Sequence, residues 1–165
     1  MQPLQRKLRG VSTSAIIALM LVAAPLSAQN PKTQLTLGGG TITFPAPTAT
    51  DYINGYVNST TGVTYTVNAT NGAVSHTTTI LIRSTSANLG NGKALVDLEW
   101  RRSDLAAWNA ISQTDAQVEQ KVVILNLLND PWSNTIFFRM KLSWTADAPA
   151  VYSANYQITL SQTVP

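Results

Sequence analysis

The 165-residue chain is only 12% charged and 44% hydrophobic, with eleven Lys or Arg against eight Asp or Glu and no Cys. Without Cys there is no disulfide framework, zinc-thiolate site or cysteine nucleophile, so packing and hydrogen-bonded ladders must supply the stability. Three of the eleven basic residues, Arg6, Lys7 and Arg9, lie in the first 28 residues, and the remaining eight balance eight acidic residues that all lie downstream. The basic character of the whole chain is therefore local, and a nucleic-acid groove is excluded as an expectation.

Those first residues have the form of an export leader: three basic residues precede the apolar run "AIIALMLVAAPL", which ends in small residues at Ser27 and Ala28. Cleavage is expected after Ala28, and an uncleaved amino-terminal anchor is the alternative, the one route by which the chain would be held at a membrane. Residues 29–165 then form a single domain in the periplasm or outside the cell, with no later run long enough to span a bilayer. Across this part Thr, Ser, Asn, Val and Ile are plentiful and amphipathic helical periodicity is missing, so short strands separated by turns are expected.

"TQLTL" and "TITF" flank Gly38 to Gly40. They predict a first strand that changes sheet at a glycine bend, in preference to an arm carrying Leu35 and Leu37 that is donated to another subunit. "PAPTATDY" reads as a loop or covered edge because Pro45 and Pro47 cannot donate to a ladder. In "VTYTVNATNGAVSHTTTILI", Asn71 and Gly72 predict a two-residue hairpin turn, pairing Val67 with His76, Tyr65 with Thr78 and Val63 with Ile80. Val63, Tyr65 and Val67 then share the core face with His76, while Thr64, Thr66, Asn68, Thr77 and Thr79 face outward.

"ALVDLEW" predicts a strand with Ala94, Val96, Leu98 and Trp100 inward and Asp97 and Glu99 outward. Ser103 before "DLAAW" predicts a capped helical turn whose Leu105 and Trp108 cover one end of the core. "VEQKVVILNLL" reads as a strand closed by "NDPW". "TIFFRMKLSW" places Ile136, Phe138, Met140, Leu142 and Trp144 on one face. The chain closes on "DAPAVYSANYQITLS", where Tyr152, Ala154, Tyr156, Ile158 and Leu160 alternate with polar residues. The expected fold is all-β, an antiparallel sandwich of seven or eight strands with one short helical turn, and Tyr152 sits where a tyrosine corner would.

The segment "DAPAVYSANYQITLSQ" resembles the closing strand of bacterial exported immunoglobulin-like domains, including pilin-like and spore-coat-U-like subunits. Ala150, Val151 and Tyr152 follow their order of small residue, spacer and Tyr, with Ala150 in place of the usual Gly. The resemblance implies that the sandwich is immunoglobulin-like; the leader pattern, the coherent sandwich and the missing catalytic constellation lead to the expectation of an exported domain with a structural or interaction role at the cell envelope.

Chemistry-bearing residues are few. His76 is the single histidine, and no nucleophile elbow or zinc-helix motif accompanies it, so a rim or core histidine is the expectation rather than a general base or metal ligand. Asp97 and Glu99 could join Asp104 or Asp115 around calcium, but without a calcium-loop pattern they read as partners of Arg101, Arg102, Arg139 and Lys141. The acceptor patterns at Asn58 and Asn68 are assigned no role. No catalytic residues, metal or cofactor are expected, and the chain reads as a non-enzyme. An envelope protein or glycan is the expected partner. The candidate contact residues are Trp108, Trp132, Tyr52 and Tyr56, whose alternative role is to cap the open ends of the sandwich.

Overall fold

The computed structural model describes residues 32–38, 41–70, 75–124 and 131–164. The expected leader, its cleavage point, the Asn71 and Gly72 turn and residues 125–130 lie outside these. Among the described residues no helix is long and apolar enough to cross a membrane.

The chain is mostly β, with antiparallel sheets and one short helix. The largest sheet has six strands. In spatial order these are β1 (Lys32–Gly38), β4 (Val63–Thr70), β9 (Trp132–Lys141), β6 (Leu98–Arg102) and β7 (Asn109–Ala110), and β3 (Tyr56–Asn58) also pairs with β9. A three-stranded sheet runs β11 (Tyr156–Thr163), β5 (His76–Ser84), β8 (Ala116–Val123), and β2 (Ile42–Phe44) pairs with β10 (Tyr152–Ala154). The arrangement is sandwich-like. Val63, Tyr65, Val67, Leu98, Trp100, Ile136, Phe138 and Met140 of the large sheet join Ile80, Ile82, Val118 and Ile158 of the smaller one in a single buried cluster. Period-two alternation explains this, because successive side chains of a strand point to opposite faces and the apolar residues of one parity meet in the core.

Alternation in the closing stretch is present as expected, but it serves two strands. Tyr152 and Ala154 are buried in β10 against β2, Asn155 interrupts the ladder, and Ile158 is buried in β11 against β5. The interruption is held by hydrogen bonds: Thr85 N–H donates to the Asn155 carbonyl over 3.0 Å, and Asn155 N–H donates to Ser86 Oγ over 3.0 Å. Tyr152 forms the expected corner, with its ring in the core and its hydroxyl donating to the Ala148 carbonyl.

Four expectations are corrected. First, β4 and β5 do not form a hairpin. β4 is bonded to β1 on one edge and β9 on the other, and β5 to β11 and β8, so neither has a free edge for its neighbour in sequence. The faces assigned from that hairpin survive because alternation fixes them: Val63, Tyr65, Val67 and His76 are all buried. Second, the strand expected over "ALVDLEW" begins only at Leu98. Leu95–Asp97 is a 3-10 turn, Val96 is exposed, Ala94 is exposed, and Glu99 is buried.

Third, "DLAAW" is not helical and Leu105 is exposed. The short helix is instead α1 (Ala49–Asn54), which begins inside the stretch read as loop and runs two residues past it. Thr48 caps it: Asp51 N–H donates to Thr48 Oγ1, and Thr48 N–H donates back to the Asp51 carboxylate. Gly55 ends the helix at φ +76°, a left-handed conformation that favours glycine. Fourth, the described residues hold eleven strands rather than seven or eight, because several are only two or three residues long. β1 and β2 do belong to different sheets, and β1 pairs with β4 of its own chain.

Candidate functional site: a cation and ring layer on the outer sheet face

The outward positions of β6 and β9 face each other in register, Glu99 beside Arg139 and Arg101 beside Phe137. β3 adds Tyr56 opposite Lys141 and Asn58 opposite Arg139. The segment after β6 then brings Trp108 back over this face. The Arg139 guanidinium lies 4.4 Å from the Trp108 ring centroid and 5.2 Å from that of Tyr56, and the Arg101 guanidinium lies 5.0 Å from Trp108 and 5.7 Å from Phe137. Each is within cation–π range. The result is a continuous layer of rings and guanidinium groups, with Arg101, Phe137 and Arg139 positioned by β6 and β9, Tyr56 by β3, and Trp108 by the segment between β6 and β7.

Beside it opens a cavity of about 170 Å³ lined by Asn58, Ser59, Arg101, Trp108, Phe137 and Phe138. Trp108 is half-buried and Phe137 is 38% exposed, so both present a ring edge or face to the opening. Gly62 supports the wall from below: a Cβ there would meet Thr135 Cγ2 at 2.5 Å and the Phe137 ring at 3.0 Å. A side chain at this position would push the Phe137 ring out of place.

Glu99 is the anion of the layer. Arg139 Nε lies 2.6 Å from Glu99 Oε2, and Lys141 Nζ lies 3.3 Å from Oε1. Burial raises the Glu99 carboxyl, but the hydrogen bonds and charges of Arg139 and Lys141 outweigh it and hold the group below the usual carboxylate range. The folded state therefore favours the ionised form. The corresponding stability is fully present above the ordinary carboxylate pKa and is lost as pH falls through the lower folded value. Wild-type protein should lose stability below about pH 4, and Glu99→Gln should flatten that acid limb. Urea midpoints measured from neutral into acid pH check it, and identical pH profiles for the two proteins would disprove the assignment.

Of the four residues expected to contact a ligand, the structure brings together Tyr56 and Trp108, bridged by Arg139. Tyr52 is elsewhere, buried in α1, stacked on Trp144 at 4.6 Å and donating to the Asp147 carbonyl over 3.0 Å. Trp132 takes the inward parity of β9, packs against the core and lies 4.8 Å from the Lys121 ammonium. Tyr52 and Trp132 thus pack with the core, whereas Trp108 lies over the outward face of the large sheet. Arg101, Phe137 and Asn58 are not among the contact residues expected from the sequence. For Phe137 the signal is the outward parity of "TIFFRMK", where a Phe on the solvent side breaks the polar rule.

His76 is a core histidine, 1% exposed, with Nε2 2.8 Å from Thr33 Oγ1. The carboxylates are dispersed: Asp97 pairs with Lys93, Asp104 with Arg102, and Asp115 with Arg83. Among the described residues no three His, Asp or Glu side chains converge as metal ligands would. Arg102 also reaches Glu119, which accepts a short hydrogen bond from the Tyr65 hydroxyl. Burial and that bond push the Tyr65 hydroxyl far above its ordinary value, so Tyr65 is a donor fixed in the core. Comparison with known proteins finds no match to a family model, a curated protein or a solved structure.

Proposed function

We propose that the chain is an exported, non-enzymatic interaction domain of the cell envelope, built on an immunoglobulin-like sandwich. The leader pattern supports export, and the closing strand with its tyrosine corner supports the immunoglobulin-like reading. The observation that carries an interaction role, in preference to a purely structural one, is the layer of Tyr56, Arg139, Trp108, Arg101 and Phe137. Aromatic rings and arginines give large contact area at low ordering cost, and they are the residue types that dominate binding energy at interfaces. Here they are already held by one another and by the ladder, so little freedom remains to be lost on binding.

The purified protein, applied to immobilised envelope polysaccharides and to peptidoglycan, should be retained saturably by at least one of them. Trp108→Ala should lower that affinity about tenfold or more, the cost of about 1.4 kcal/mol or more expected of a central aromatic anchor. The variant must keep its thermal melt for the comparison to count. Absence of retention on every fraction, or retention indifferent to Trp108, would defeat the proposal.

A further inference from the structure

Arg101 differs from the other described arginines. Arg83, Arg102 and Arg139 each lie against a carboxylate, Asp115, Asp104 and Glu99 respectively. Arg101 has no carboxylate partner among the described residues. Its Nη1 donates to the Leu105 carbonyl over 3.0 Å, and its Nε is enclosed without an acceptor. A guanidinium carries five N–H donors, so most of this one's capacity is unused while its charge is uncompensated. A polar group left in that condition costs stability, and it calls for a partner the protein itself does not supply.

The surroundings define that partner. Arg101 lies between the rings of Trp108 and Phe137 and lines the cavity with them. Asn58 forms another wall, and its carboxamide has no protein partner among the described residues. Ser59 Oγ donates to the Thr61 carbonyl, which leaves its lone pairs as acceptors facing the same space. Across the layer, Arg101, Arg139 and Lys141 outnumber the one carboxylate, Glu99, so the site is cationic.

We propose that this cavity binds an acidic sugar, a pyranose ring bearing a carboxylate. The carboxylate pairs with the Arg101 fork, the apolar face of the ring lies against Trp108 and Phe137, and ring hydroxyls bond to Asn58 and Ser59. Size favours one ring: pockets for drug-sized molecules run about 300–1,000 Å³, and this cavity is about 170 Å³. An extended acidic peptide is disfavoured because it would need a free sheet edge or a long groove, whereas this cavity is confined to six residues on a sheet face. The inference rests on the interaction role proposed above and specifies its ligand.

The test is tryptophan fluorescence and calorimetry of the purified protein with oligosaccharides of glucuronate or galacturonate, against neutral oligosaccharides of glucose or galactose. Acidic oligosaccharides should bind saturably, at least tenfold more tightly than the neutral ones, and more weakly as salt rises. Arg101→Gln should abolish that preference. Arg101→Lys, which keeps the charge but not the fork, should retain a part of it, and both variants should melt near wild type. Equal affinity for acidic and neutral sugars, or an Arg101→Gln variant with its preference intact, would overturn the proposal. Envelope material retained through Trp108 by a protein that ignores uronates would overturn this inference alone. No retention of either would end both.

Discussion

Removing the residues after Pro149 should leave a chain with no cooperative unfolding transition. The deletion takes away β10 and β11, and with them Tyr152, Ala154 and Ile158, which are almost completely buried, and the half-buried Tyr156 and Leu160. Each large inward side chain is worth roughly 1.5–3 kcal/mol, against about 5–15 kcal/mol for a whole domain. The ladder suffers as well: β2 loses its strand partner, and β5 with β8 is left as a two-stranded ribbon, a form marginal in water. Tyr152→Ala alone should cost about 3–5 kcal/mol, since it empties a core site and leaves the Ala148 carbonyl without its donor. Circular dichroism during urea titration reads both. A truncated protein with an undiminished, cooperative melt would show that the closing strands are not part of the fold.

The second large effect is expected at Lys93, which joins two connecting segments. Its side chain is 4% exposed, and its ammonium lies 2.6 Å from Asp147 Oδ2 and 3.0 Å from Asp97 Oδ2. Asp147 Oδ2 also accepts from Ser143 N–H over 2.8 Å, so one carboxylate ties the segment after β9 to the segment before β6. Lys93→Met removes the cation and leaves an anion that is itself 5% exposed. Breaking a buried pair in this way costs about 3–5 kcal/mol, mostly from the uncompensated charge that remains. The double variant Lys93→Met with Asp147→Leu should therefore be clearly more stable than Lys93→Met alone, a coupling that a double-mutant cycle in urea measures. A single variant that melts with wild type would mean that water reaches the pair.

Much of the sandwich is legible in the sequence because alternation reports which face a residue occupies. Ile136, Phe138 and Met140 on β9, and Tyr152, Ala154 and Ile158 near the end, lie where parity puts them. Parity does not report partners, which is why Asn71 and Gly72 suggested a pairing between two strands whose edges are already occupied. Alternation also fails where the backbone leaves the strand. Val96 points outward from a 3-10 turn, and Trp144, three residues past the end of β9, is 62% exposed and stacks on Tyr52. Thr48 and Asp51 have the spacing of a capping box and mark the helix start, but Pro45 and Pro47 just before it carry the pattern of a loop. Glu99 has Arg139 and Lys141 as partners, as expected, but parity places it on the outward face and does not report that it is buried there. The ring layer was half legible. Trp108 and Tyr56 stood out by residue type, whereas only the β6 and β9 register brings Arg101 and Phe137 to them.

The assignment of β4 and β5 to different sheets bears on how the chain finds its fold. β1 must wait for β4, β4 for β9, β2 for β10 and β5 for β11, so nearly every ladder joins segments separated by long stretches of sequence. The short β6 and β7 pair, with two residue pairs in register, is the one that closes quickly. Each long closure costs chain entropy before any contact repays it, which places such topologies in the millisecond-to-second range rather than among the fast helical folders. Until β11 arrives, the apolar face of β5 and one row of its backbone donors and acceptors stay open to other chains. The time between synthesis and completion of the last strand is thus the period in which this protein is most exposed to association with itself.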